Sequence, residues 1–163
     1  MSHSIATESE LKFDFHLPFE KADAVNCQGL KAVDFIVEGD NCLYFIEVKN
    51  YEQSKAPKEN RDRDYKMLTD KDASFPRDIG MKVKDSLLRR YAQAESFSKK
   101  ILFLLVIKLS SLKANERERL YKRVSGYIPT GLNGYPAFSN ISFEMPRIDE
   151  LQSNYGFDVT VLM

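Results

Sequence analysis

Residues 101–109 read ILFLLVIKL, a run with one charge and three β-branched side chains. A half-exposed strand alternates apolar and polar residues and a surface helix repeats about every 3.6, whereas this run does neither and is short for a buried helix. It suits a strand covered on both faces, at the centre of a sheet. Three short β-like runs precede it, at residues 22–27, 31–37 and 42–49, separated by Gln28-Gly29-Leu30 and Glu38-Gly39-Asp40-Asn41, both turn-like in composition. They predict an antiparallel meander. Ile79, Val83, Leu87, Tyr91 and Ala94 recur at helical spacing behind Pro76 and predict a helix over residues 76–97. Asn115, with Glu118 three residues on, signals a second helix through about Val124. A short helix at 147–154 is expected between strands at 141–145 and 157–162. Residues 54–74 mix opposite charges with Pro57 and few apolar side chains, and read as a loop. The order βββ-α-β-α-β-α-β predicts one α/β domain over residues 1–163, with a mixed sheet flanked by helices.

Composition narrows the chemistry. With 43% apolar and 29% charged residues the chain has the make-up of an ordinary soluble globular protein. Its longest apolar run is too short to cross a bilayer, and residues 9–20 carry charges where a signal peptide needs an apolar stretch. No membrane partner is expected, and a cytoplasmic location follows. Cys27 and Cys42 lack CxxC spacing and are expected to be reduced, buried small hydrophobes, and the only histidines are His3 and His16. A zinc site, a Cys/His pair or a Ser/His/Asp triad lacks material. Hydrolysis would have to use carboxylates and lysine. The zero net charge is a cancellation: residues 1–54 carry 4 basic and 10 acidic groups, residues 55–123 carry 19 and 10, and residues 124–163 carry 1 and 4. A polyanion can meet the basic middle region while the acidic N-terminal region holds cations.

The chemistry concentrates in residues 31–51, KAVDFIVEGDNCLYFIEVKNY. If Gly39 and Asp40 turn a tight hairpin, Glu38 faces Asn41 and Asp34 lies opposite Phe45. Side chains alternate along a strand and facing residues point to the same side, so Phe45, Glu47 and Lys49 share the face of Asp34. Glu47 is then the diagonal neighbour of Asp34, about 7 Å away at the backbone. The other face carries Val33, Phe35, Val37, Tyr44, Ile46 and Val48 and reads as the core face. Two carboxylates crowded together repel unless a cation or proton joins them, and oxygen ligands suit Mg²⁺ or Mn²⁺. A solvated cleft is expected around the three groups, so truncating any of them should change stability by no more than about 1 kcal/mol.

Asp34, twelve intervening residues, then Glu47-Val48-Lys49 resembles the D…ExK signature of the PD-(D/E)XK nuclease superfamily, which includes restriction endonucleases, repair nucleases and junction resolvases. The resemblance spans residues 20–109 and bears motif residues only from Asp34 to Lys49. It implies a restriction endonuclease-like three-layer sandwich whose core runs helix, three strands, helix, strand. It further implies that Asp34 and Glu47 bind the metal with the Val48 carbonyl, and that Lys49 orients or deprotonates the attacking water. An acidic residue from the leading helix often joins such a site; Glu20 is favoured here over Glu10. The sequence departs from the pattern in three places: Val33 stands where proline is common, LKFDFHLPFE before Ala22 is weakly helical, and Gln93 is followed by Phe97 rather than by the tyrosine of a Gln-x-x-x-Tyr pair. Glu10-Leu11-Lys12 and Asp64-Tyr65-Lys66 also fit the three-residue motif, but neither ends an alternating strand.

The expected activity is a metal-dependent nuclease acting on DNA, or on RNA, with a homodimer as a way to cut both strands. The alternative is a catalytically inactive module of the same fold that binds nucleic acid or joins a complex. Lys82, Arg89 and Gln93 fall on one side of the predicted helix and are candidates for the phosphate backbone, and Asn50 and Tyr51 are candidates for substrate contact.

Overall fold

The computed structural model describes residues 5–24, 29–53, 57–93, 99–131 and 140–162. The apolar run forms β6 (Lys100–Lys108), buried at every residue from Ile101 to Ile107. It pairs in parallel with β5 (Cys42–Asn50) on one side and β7 (Ile141–Glu144) on the other. Parallel neighbours need long crossover connections. These hold α1 (Lys58–Thr69) and α2 (Phe75–Ala92) between β5 and β6, and α3 (Ala114–Ser125) between β6 and β7. On the far side β5 pairs antiparallel with β4 (Phe35–Glu38), and β4 with β3 (Phe19–Lys21). The five-stranded sheet β3-β4-β5-β6-β7 is therefore mixed, and it opens with the expected meander.

Alternation along the strands divides their side chains between two cores. Leu43 and Phe45 of β5, with Phe103 and Leu105 of β6, pack under Ile79, Val83 and Leu87 of α2 and Leu120 and Val124 of α3. Gly80 lets α2 close on Tyr127, since a Cβ there would meet the tyrosine Cβ at 2.5 Å. Ile46 and Val48, with Leu104 and Val106, face the other way. They pack against Leu11, Phe13 and Phe15, together with Leu151 of α4 (Ile148–Tyr155) and Phe157. That layer is completed by a second, antiparallel sheet in which β1 (Ile5–Glu8), β2 (Leu11–Asp14) and β8 (Asp158–Val161) lie in that order. The molecule is thus mixed α/β with two sheets. Both faces of the hairpin β4–β5 are core faces, where the sequence pattern had assigned only one.

Several segments differ from expectation for identifiable reasons. No helix precedes the meander within residues 5–24; Leu11, Phe13 and Phe15 alternate buried with less buried neighbours, and the chain turns at Ser9 and Glu10, both at positive φ. The first meander strand is Phe19–Lys21 rather than residues 22–27; Ala22–Ala24 is a 3-10 turn, and residues 25–27 lie outside the described residues. The charged stretch read as a loop contains α1, which buries Leu68 completely and packs Tyr65 and Met67 against the helical core. Three apolar side chains suffice where a helix lies on a formed core. The helix α2 ends at Ala92, leaving Tyr91 exposed; Ala94 and Phe97 lie outside the described residues. The N-terminal carboxylate cap of α3 comes from Glu116, which accepts from the Lys113 N–H at 2.9 Å, rather than from Glu118. The last strand joins the second sheet instead of the mixed one. Cys42 is partly buried as a free thiol, and Cys27 lies outside the described residues.

Candidate functional site

The β4–β5 hairpin turns through Asp40 and Asn41, with the Gly39 N–H donating to the Cys42 carbonyl at 2.9 Å. Glu38 faces Leu43, two residues beyond its predicted partner. A shift of two preserves the face of every side chain, whereas a shift of one would have inverted it. Asp34 and Glu47 therefore share a face, and continuing the register one residue past Phe35↔Ile46 places them directly opposite rather than diagonal. Asp34 Oδ2 accepts from the Val48 N–H at 2.6 Å, which fixes that carboxylate against β5.

The surroundings are not a solvated cleft. Glu47 has no solvent exposure and Asp34 has 4%, because α2 covers this face of the sheet. Ile79, Val83 and Leu87 anchor that helix, and the same packing brings Lys82 over the acids. Its ammonium donates to both oxygens of Glu47, at 2.7 and 2.9 Å, and lies 3.6 Å from Asp34 Oδ1. Lys49 Nζ approaches Glu47 Oε1 at 2.5 Å from the more open side. Two carboxylates and two ammonium groups thus neutralise one another. Lys82 belongs to this cluster and not to a surface facing a phosphate backbone.

Burial, and then the nearby charge of Glu47, push the Asp34 carboxyl up to about 7, with Lys82 and the Val48 N–H acting in the opposite direction. For Lys82 burial acts to depress the ammonium, but Glu47 and Asp34 outweigh it and hold the group above its usual range. The site therefore combines one carboxyl that changes charge near neutrality with a lysine that stays charged.

Asp34 also borders a second group of acids. Single carboxylate oxygens of Glu8, Asp23 and Asp34 lie within 4.8 Å of one another, close enough to hold a metal ion. Oxygen ligands at about 2.0–2.6 Å from a hard cation are spaced on this scale. Glu8 and Asp23 were missed by sequence reasoning, because Glu8 reaches Asp34 only through the second sheet. Neither expected upstream ligand is in this group. Glu20 faces Ile36 on β3, and its carboxylate is bound by Arg89. Glu10 sits in the β1–β2 turn.

Arg89 is 9% exposed and donates to the Ala22 carbonyl at 2.6 Å as well as to Glu20. It ties α2 to β3 and is turned away from any external phosphate. Replacing it with methionine should leave the Ala22 carbonyl unpaired and cost about 2–3 kcal/mol in urea unfolding; a loss within 0.5 kcal/mol would show the tie to be unimportant. Gln93 is the exposed C-cap of α2, about 16 Å along the helix from Lys82. It lies outside the cluster. Asn50 is likewise committed, donating to the Ser9 carbonyl at 2.8 Å and accepting from the Glu52 N–H at 2.9 Å. No helix among the described residues is long and apolar enough to cross a membrane. Comparisons with protein-family models, with curated proteins and with solved structures find no match to this chain.

Proposed function

We propose that the chain is a metal-dependent nuclease of the PD-(D/E)XK type, hydrolysing phosphodiester bonds in DNA or in RNA. One observation carries the reading: Asp34, Glu47 and Lys49 project from one face of neighbouring antiparallel strands, with the two carboxylates opposite each other. The donor set fits a hard cation such as Mg²⁺ or Mn²⁺, being all oxygen, and Lys82 marks the space between the acids as one that draws positive charge. Such an ion lowers the pKa of bound water and stabilises negative charge on the phosphate.

The residues of the chain divide the remaining work. Asp34 is common to both acidic groups, facing Glu47 on one side and Glu8 and Asp23 on the other. Its carboxylate is held in place by the Val48 N–H, which leaves Oδ1 toward Lys82. Val48 itself offers its carbonyl as a further ligand. Lys49, 29% exposed along its side chain, is the cation positioned to meet a substrate phosphate and orient the attacking water. Lys82 must yield Glu47 for that carboxylate to reach a metal. Its neutralising grip also supports the alternative, an inactive module of the same fold that binds nucleic acid or joins a complex.

Incubation with plasmid, single-stranded DNA and RNA, with Mg²⁺ or Mn²⁺ against EDTA, tests the reading, alongside calorimetric Mn²⁺ titration. Asp34→Ala is expected to lose cleavage and metal affinity together. Lys49→Ala is expected to lose cleavage and keep metal affinity. Wild-type protein that binds no divalent ion, or Lys49→Ala that cleaves normally, moves the weight to the inactive module.

A further inference from the structure

The space beside Glu47 and Asp34 already holds a cation. Lys82 Nζ donates to both oxygens of Glu47, at 2.7 and 2.9 Å, and stands 3.6 Å from Asp34 Oδ1. A hard metal ion needs those same carboxylate oxygens, so ammonium and metal exclude each other on Glu47. Lys49 is placed differently, since it approaches the single oxygen Oε1 of Glu47 from the more open side.

The helix under Lys82 cannot carry it away. Ile79 and Val83 are buried on either side of it, and a Cβ at Gly80 would meet the Tyr127 Cβ at 2.5 Å, so α2 lies tight against its neighbours. The side chain is less constrained. It is 22% exposed and ends a flexible four-carbon stem, so the ammonium can swing into water while the backbone stays in place. Its departure has one obstacle: Glu47 is fully buried, and a buried carboxylate that loses its partner is strongly destabilising. Another cation must take its place, and a divalent ion brings twice the charge to the same two acids.

We propose that Lys82 is the resident cation of this metal site, holding Glu47 until a divalent ion displaces it, so that this lysine sets the concentration at which the ion enters. The proposal rests on the metal-binding part of the nuclease reading and adds to it a residue that tunes ion affinity. It also explains how the buried acids stay neutralised before any ion arrives. The exchange is a movement of one side chain and leaves the packing of α2 unchanged.

The test is calorimetric titration of the full chain with Mn²⁺, in the absence of nucleic acid, for wild type, Lys82→Met, Lys82→Gln and Lys49→Ala. Each is also melted with and without Mn²⁺. Lys82→Met is expected to bind Mn²⁺ at least about tenfold more tightly than wild type, since the ion no longer has to break two charge-assisted hydrogen bonds. Its midpoint should lie below that of wild type without the ion and rise further than that of wild type with it. Lys82→Gln keeps a donor for Glu47, which preserves the fold where methionine does not, and should gain affinity as well. Lys49→Ala takes a positive charge from the same carboxylate and should leave the affinity as it is. A lysine with a merely structural role would, on removal, leave Mn²⁺ affinity unchanged or lower it. Unchanged or weaker binding by both Lys82 variants, or an equal gain in Lys49→Ala, overturns the proposal and leaves the nuclease reading intact. The expected gain in Mn²⁺ affinity without cleavage of plasmid, single-stranded DNA or RNA by wild type sinks the nuclease reading and leaves the role of Lys82 standing. No Mn²⁺ binding by any of the four proteins overturns both.

Discussion

Glu47→Ala is expected to destabilise the protein by about 3–5 kcal/mol, the range for breaking a buried ion pair by removing one partner. Glu47 is fully buried and both its oxygens accept from Lys82. Alanine would leave the Lys82 ammonium under α2 with Asp34 at 3.6 Å as its remaining carboxylate, and would also free Lys49. The cost is electrostatic, not a cavity effect, and this can be separated experimentally. Lys82→Met in the Glu47→Ala background removes the stranded charge and fills the space with an apolar chain of similar length, so the double variant should recover most of the loss. Urea unfolding of the two single variants and the double variant closes the cycle. A loss below about 1 kcal/mol for Glu47→Ala would return the acids to the solvated cleft that the sequence pattern suggested.

That pattern misjudged exposure and register while assigning the shared face of Asp34 and Glu47 correctly, and these outcomes follow from the same hairpin. The face assignment depends only on parity, so it survived a turn one residue from its predicted position, which moves every pairing partner by two. Burial depends on what lies over the face. Nothing within residues 31–51 announces that α2 crosses above Glu47; the signal lay in the periodicity of Ile79, Val83 and Leu87, which fixes where Lys82 must point. A lysine beside an apolar stripe reads as a solvated flank until a buried acid is known to face it. The second sheet was legible in principle, because Leu11, Phe13 and Phe15 alternate in burial over residues 11–15. The expectation of a leading helix obscured it, and with it Glu8. Helix α1 was hidden for the opposite reason, since its charges far outnumber the three side chains, Tyr65, Met67 and Leu68, that hold it down.

The Asp34 carboxyl makes the protein's stability depend on pH in a direction opposite to that of most paired acids. Its folded-state value of about 7 lies above the ordinary 3.8, so the folded chain binds the proton more tightly than the unfolded one. Below about pH 4 the group is protonated in both states and contributes no difference. Between about pH 4 and 7 the unfolded chain releases its proton while the folded chain retains it, and stability falls by roughly 1.4 kcal/mol per unit. Above pH 7 both states are ionised and the loss is complete, at about 4 kcal/mol. Exposed acids such as Glu38 and Glu118, whose pKa values are lowered by lysines, act in the other direction. They are unchanged by substitution at Asp34, so the difference between wild type and Asp34→Asn isolates the one group. Asparagine resembles the protonated carboxyl and keeps an oxygen for the Val48 N–H. The variant should therefore match wild type near pH 4 and exceed it by about 4 kcal/mol at pH 8 in urea unfolding. Saturating Mn²⁺ at pH 8 should narrow that gap by stabilising wild type alone, since the ionised carboxylate is the form that binds a cation. Equal stability of the two proteins across this range would show that Asp34 is ionised throughout, and that the charge of Lys82 already satisfies it.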